Sequence, residues 1–225
     1  MNSSGTTDDE LAGARPYTRA MLATYDLWVL GFNNHLVWRC PTRHLLRLYD
    51  NVSDRHLDIG PGSGWHLRHA RFPSPKSVVA LVDLNEAPLA VTAGHLRRRG
   101  IETSTHIGSV LDELPVDRRF RSAATNLLMH CVPGGWQDKG VAFRHIANAM
   151  TDDGVYFGST VLSLGVPHTR LSRITERQFQ RLRAFHNQED DPDGLRTALG
   201  QAFGTVDVRT IGSMALWTAR DPLRE

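Results

Sequence analysis

Leu57-Asp58-Ile59-Gly60-Pro61-Gly62-Ser63-Gly64-Trp65 is a short apolar strand running into a turn with glycine at every second position. Glycine lacks a Cβ, so such a turn reaches positive φ cheaply and lets the backbone approach a bulky ligand. The residues that follow, Trp65 to Arg71, read as the start of a helix whose free N–H groups and positive dipole end face the space over the turn. The stretch is a nucleotide-binding turn, and its spacing separates the ligands. A dinucleotide fingerprint needs G-x-G-x-x-G, with the third glycine for close helix packing. Trp65 stands at that position, and the spacing present is D-x-G-x-G-x-G, from Asp58 to Gly64.

A second feature lies one strand further on. Ser77 to Leu84 is a β-branched apolar run that delivers Asp83 at its end. An acid there can accept two hydrogen bonds from a ribose diol, which is why nucleotide sites on α/β sheets place one at this point. The competing reading is a turn or N-cap aspartate.

The whole chain sets the bounds. Its 225 residues fit one domain with a substantial core. No apolar stretch is long enough to span a bilayer, and residues 1–14 are small, polar and acidic, which predicts a disordered start and a soluble, cytoplasmic protein without a membrane partner. Cys40 and Cys131 have neither disulfide-framework nor zinc spacing. A formal charge of +2 gives no case for nucleic acid. Arginine dominates the basic residues, with Lys76 and Lys139 the only lysines.

Ahead of the nucleotide strand, residues 15–50 carry helical apolar spacing rich in aromatics: Met21, Leu22, Tyr25, Trp28 and Val29, then Leu45, Leu46 and Leu48. They read as a helical lid, with Tyr25 and Asn33 as ligand contacts and Trp28, Phe32 and Trp38 as wall or packing residues. After the second strand, Asn85 caps a helix from Glu86 to Arg99 that Gly100 ends. Glu102 to Ile107 predicts strand three, leading to Ser109, and Phe120 to Val132 predicts a buried strand four. Ligands of open α/β sheets lie outside the carboxyl ends of the strands, so His130 faces the reaction chamber as a general base or as a hydrogen-bonded wall residue.

Trp136 to Met150 predicts an amphipathic helix, Asp152-Asp153-Gly154 a turn, and Val155 to Leu162 a fifth strand with Thr160 near the substrate. A basic helical segment follows, with Leu171, Ile174, Phe179, Leu182 and Phe185 at helical spacing. It precedes an acidic loop over residues 188–193, so that residues 165–192 form a cap offering Phe185 and His186 to the substrate. Leu195 to Phe203 reads as the last helix, and Thr205 to Ile211 with Met214 to Arg220 as a closing hairpin. His66 and His69 share a helical face, but no third ligand is evident and no metal is assigned.

From about Asp50 to Arg220 the chain resembles the class I S-adenosylmethionine-dependent methyltransferases in its glycine motif, its acidic strand-two end and its closing hairpin. Its length and the Tyr25 to Phe32 segment are similar to small microbial methyltransferases of natural-product pathways. The resemblance implies a Rossmann-like α/β fold: a seven-stranded, mostly parallel sheet with a C-terminal antiparallel hairpin, an N-terminal helical lid over residues 15–50 and a cofactor domain over residues 51–225. It implies S-adenosylmethionine as cofactor and S-adenosylhomocysteine as product, while the aromatic lid and the absence of polymer-binding features point to a small aromatic or apolar substrate. Asp58, Gly60, Pro61, Gly62 and Gly64 would cradle the amino-acid part of the cofactor. Asp83 would hold the ribose, Leu84 would pack on adenine, and Asn126 would line the strand-four end. Ser109 stands where the family often has an adenine-binding acid, and Tyr25 would reach the cofactor from the lid. A degenerate, non-catalytic cofactor fold and an NAD-dependent oxidoreductase are the alternatives, the latter disfavoured by Trp65 and by the lack of a Tyr-x-x-x-Lys pair.

Overall fold

A computed structural model describes residues 33–224. The acidic start and most of the lid, with Tyr25 and Trp28, lie outside the described residues. Seven strands form one sheet in the order β3-β2-β1-β4-β5-β7-β6. In chain order they are β1 Arg55–Ile59, β2 Val78–Asp83, β3 Glu102–Ile107, β4 Phe120–Asn126, β5 Met150–Val161, β6 Phe203–Ile211 and β7 Met214–Pro222. β1 pairs in parallel with β2 and β4, and only β7 runs against its neighbours β5 and β6. Central strands covered on both faces read as continuous apolar runs, and β1, β2 and β4 are buried along nearly their whole length.

The described helices are α1 Thr42–Leu48, α2 Trp65–His69, α3 Glu86–Arg98, α4 Trp136–Asn148, α5 Arg170–Arg181 and α6 Pro192–Gly200. One face of the sheet packs Trp136, Phe143, Tyr156, Phe203 and Trp217 into a single core, and the other packs Leu45, Tyr49, Leu67, Leu96 and Phe157. Asn85 caps α3 as its sequence predicts, accepting from Ala87 N at 2.9 Å, a contact of about 1 kcal/mol.

Several boundaries differ from the sequence reading. Strand four stops at Asn126, because Leu127 turns to φ +60° and Met129–Cys131 form a 3-10 turn. His130 therefore sits in that turn. A left-handed leucine costs roughly 1–2 kcal/mol, and the corner places Leu128 over the glycine turn, where a Cβ at residue 60 would lie 2.7 Å from it. Asp152-Asp153-Gly154 is an irregular entry to β5, where pairing jumps from Phe120↔Met150 to Ser122↔Val155, and Asp153 bonds Arg121 at 3.2 Å. The last helix starts at Pro192, since Asp191 caps it by accepting from Asp193 N and Gly194 N. Phe203 belongs to β6. Leu171, Ile174 and Leu182 face solvent on α5, while Ser172, Glu176 and Phe179 turn inward.

Candidate active site

The site grows from the β1 exit. Gly60 N donates to Val82 O at 2.8 Å, which locks the start of the turn to β2, and Gly64 N closes it on Pro61 O at 2.9 Å. Gly62 has φ +56° with open space where a Cβ would stand, leaving its backbone free to be approached. Gly64 has φ +71°, and a Cβ there would come within 2.5 Å of Thr92 on α3. Thr92 Oγ1 in turn donates to Gly62 O at 3.2 Å. The turn is thus held from below and open above.

Asp58 lies beneath it, buried. Its Oδ2 accepts from Tyr49 Oη at 3.0 Å and lies 3.4 Å from His56 Nε2, while His56 Nδ1 meets Ser122 Oγ at 2.9 Å. Asp58 therefore braces the turn through a buried chain of polar groups. Burial, then the neighbouring Asp58 charge, hold the Tyr49 hydroxyl well above its ordinary pKa, so it remains a donor. His66 stacks on the Tyr49 ring at 5.3 Å, and burial pushes its pKa down to about 3. His69 bonds Trp65 O at 2.7 Å, and no group of three metal-ligating side chains occurs among the described residues.

Asp83 stands at the end of β2 as expected. Asn85 N donates to its Oδ1 at 2.9 Å, which orients the carboxylate. Burial raises its pKa to about 6, against the opposing pull of the Asn85 and Leu84 N–H groups. Gly108 N donates to Asp83 O at 3.2 Å, bringing the β3 exit alongside. There Ser109 Oγ accepts from Leu111 N at 3.0 Å, so the hydroxyl serves its own loop. Leu84 is half-buried beside Asp83. Asn126, at the β4 end, accepts from Ser159 Oγ, and its buried Nδ2 has no partner in the structure. An orphaned donor of that kind calls for a ligand acceptor. With the open Gly62 and the oriented Asp83, these residues fit an adenosyl amino acid.

The second half of the site lies at the β4 and β5 ends. His130 Nδ1 accepts from Val161 N at 3.3 Å and lies 3.4 Å from Thr160 Oγ1. Burial, with Lys139 adding to it, lowers the His130 pKa to about 3, so the ring is neutral and its proton sits on Nε2. A general base needs a free acceptor nitrogen, and in this arrangement His130 presents a donor. Phe185 meets the His130 ring edge-on at 4.3 Å, and Phe179 and Trp38 pack on Phe185 in turn, at 4.8 and 5.9 Å. Thr160 is fully buried behind His130. Asn33 is buried and accepts from Trp38 N through its carbonyl at 2.8 Å. His186 joins the site by its backbone, donating N–H to His130 O at 2.7 Å, while its ring bonds Arg183 O.

Sequence reasoning missed Tyr49, His56, Lys139, Asn187 and Asp190. Lys139 and Asp190 form a fully buried ion pair, with Nζ donating to both carboxylate oxygens at 2.8 and 2.7 Å. The acidic loop is therefore not uniformly solvated. One signal was available: Trp136, Lys139, Gly140 and Phe143 make a buried helical stripe with a single cation in it.

No family model matches the sequence. The chain is 37% identical over 224 residues to demethylluteothin O-methyltransferase of Streptomyces thioluteus, covering 96% of each. It is 33% identical over 218 residues to the O-methyltransferase adaD of Aspergillus niger, covering 92% of this chain and 87% of that one. Among solved structures, the DhpI complex with S-adenosylhomocysteine superposes with a TM-score of 0.66 at 17% identity, over 97% of this chain and 100% of that one. The oxidoreductase and non-catalytic alternatives gain no support from these relatives. With the glycine cradle, the oriented Asp83 and relatives matching nearly end to end, the chain belongs to the class I S-adenosylmethionine-dependent methyltransferases.

Proposed function

We propose that this methyltransferase acts on a hydroxyl group of a small aromatic metabolite in a microbial natural-product pathway. The observation that carries the reading is the aromatic cluster in which Phe185 packs on a neutral His130 and, in turn, on Phe179 and Trp38. The names of the two relatives above support oxygen as the acceptor atom.

When bound, S-adenosylmethionine would supply an electrophilic methyl group for the acceptor oxygen, the hydroxyl proton passing to solvent and S-adenosylhomocysteine being left. Asp83 receives the ribose, Asp58 braces the glycine turn and Asn126 offers its Nδ2 donor at the strand-four end. His130 offers Nε2–H to the acceptor, and the aromatic wall holds a flat ring. Such positioning supplies much of the rate of a displacement that needs little acid–base help. Residues 165–192 serve as the substrate cap and residues 15–50 as the lid. Cys40 and Cys131 form no disulfide, which fits a reducing cytoplasm. No described helix is long and apolar enough to cross a membrane.

The test is incubation with S-adenosylmethionine and a panel of phenols, hydroxynaphthoic acids and the matching aryl amines, read by mass spectrometry. Methylated phenols, absent with Asp83→Ala, are the expected products. Methylation confined to the amines would overturn the oxygen assignment.

A further inference from the structure

Lys139 spends all three of its donors on the cap. Two go to Asp190, and the third reaches His186 O at 3.1 Å. Both side chains are fully buried, and Nζ lies 5.1 Å over the Trp136 ring. From this point contacts run in two directions. Asp190 O accepts from Ser163 N and Leu164 N at 3.1 and 3.0 Å, fixing the chain that leaves β5, and His186 N holds His130 O. Asn187, next in the chain, donates to Val161 O at 3.1 Å, and Phe185, on the other side of His186, forms the wall against His130.

A buried ion pair is weak evidence for stability, because an apolar pair of the same volume often serves as well. Its attested use is to select one arrangement. Lysine fits here as a compact point charge with three directed donors, where the planar, bulkier fork of arginine would not. That matters in a chain whose other basic residues, Lys76 aside, are all arginine.

We propose that Lys139 is a positioning residue for acceptor recognition: with Asp190 it clasps the cap segment 185–190 against the 3-10 turn that carries His130, and so sets the acceptor pocket. The inference rests on the methyl-transfer reading above for its kinetic part alone.

The test uses the full chain as wild type, as Lys139→Met with Asp190→Leu, and as Asp190→Asn. An apolar pair restores packing without restoring the bond to His186 O. In the double variant the melting temperature stays within about 4 °C of wild type and S-adenosylmethionine affinity within about twofold. Hydrogen-exchange protection of peptides covering 127–132 and 183–191 falls about tenfold or more. The KM for the best phenolic acceptor rises about tenfold, with kcat at saturation changed by less than about threefold. A double variant with wild-type protection and wild-type acceptor KM overturns the proposal and leaves the pair as packing only. If the double variant does not fold, Asp190→Asn decides by the same two readouts. If the wild type methylates no acceptor on the panel, the functional reading fails, while exchange protection still decides the clasp.

Discussion

The two halves of this site are built by different means. The proposed cofactor half is carried by one continuous run, β1–α2–β2–α3: Gly60 to Gly64 present backbone, Asp83 ends the adjacent strand, and their supports, Thr92 and Asn85, lie on the helix that follows and at its cap. The proposed acceptor half is drawn from separate segments, the turn after β4, α4, the end of β5 and the cap: His130 with Val161, Lys139 with Asp190. A turn that works through its backbone tolerates almost no side chain, whereas a pocket assembled from long-range contacts can be re-shaped by changing one clasp. The first half is suited to a constant ligand and the second to a variable one.

The sharpest break of that contrast is Gly64→Ala. The residue holds φ +71° and a Cβ there would lie 2.5 Å from Thr92 Oγ1, so strain and collision together cost about 2–4 kcal/mol. Melting temperature should fall and cofactor binding should be lost to calorimetry. Adding Thr92→Ala removes the two closest contacts, leaves the Thr92 Cβ at 3.0 Å and leaves the strain, so it should recover part of the melting temperature. Full recovery would mean that the backbone conformation carries no cost of its own.

A smaller effect is expected at Tyr49→Phe, which removes one donor from buried Asp58. A hydrogen bond to a charged group contributes about 1.5–3 kcal/mol, so stability drops by that order and cofactor affinity falls about tenfold, with the acceptor KM unchanged. An acceptor KM that rises while cofactor affinity holds would place Tyr49 in the other half.

The same contrast explains what could be read in advance. The glycine turn, the acid that ends the second strand and the closing hairpin are legible because each is carried by contiguous residues with a defined spacing. The strand-four end was not. Leu127 adopts positive φ, against its own preference, because Leu128 must cross the glycine turn. The α5 face was inverted for a similar reason: its apolar Leu171 and Ile174 lie outside, since Glu176 turns inward to accept from Ser163 and Asn187. His130 and Phe185 were singled out through position and residue type, and their rings lie 4.3 Å apart. Lys139 and Asp190 were not, because neither residue announces a partner 51 positions away.

The smallest effect separates the halves by pH. Asp83 titrates near 6 in the free protein, raised by burial from 3.8. A protonated carboxyl is a poorer acceptor for a ribose diol, so cofactor affinity should fall as pH drops from 7 to 5, by up to about tenfold per unit below the pKa. Stability runs the other way. A folded pKa above the unfolded one means that protonation favours the fold, so this residue's contribution grows as pH falls from 6 towards 4. The difference between wild type and Asp83→Asn isolates both trends from other groups. His130, held near 3, should contribute nothing between pH 5 and 9. His130→Asn should therefore raise the acceptor KM several-fold while leaving the shape of the kcat profile intact. Loss of an ionisation near neutrality in that variant would restore the general base, and would mean that acceptor binding frees Nδ1 from Val161 N.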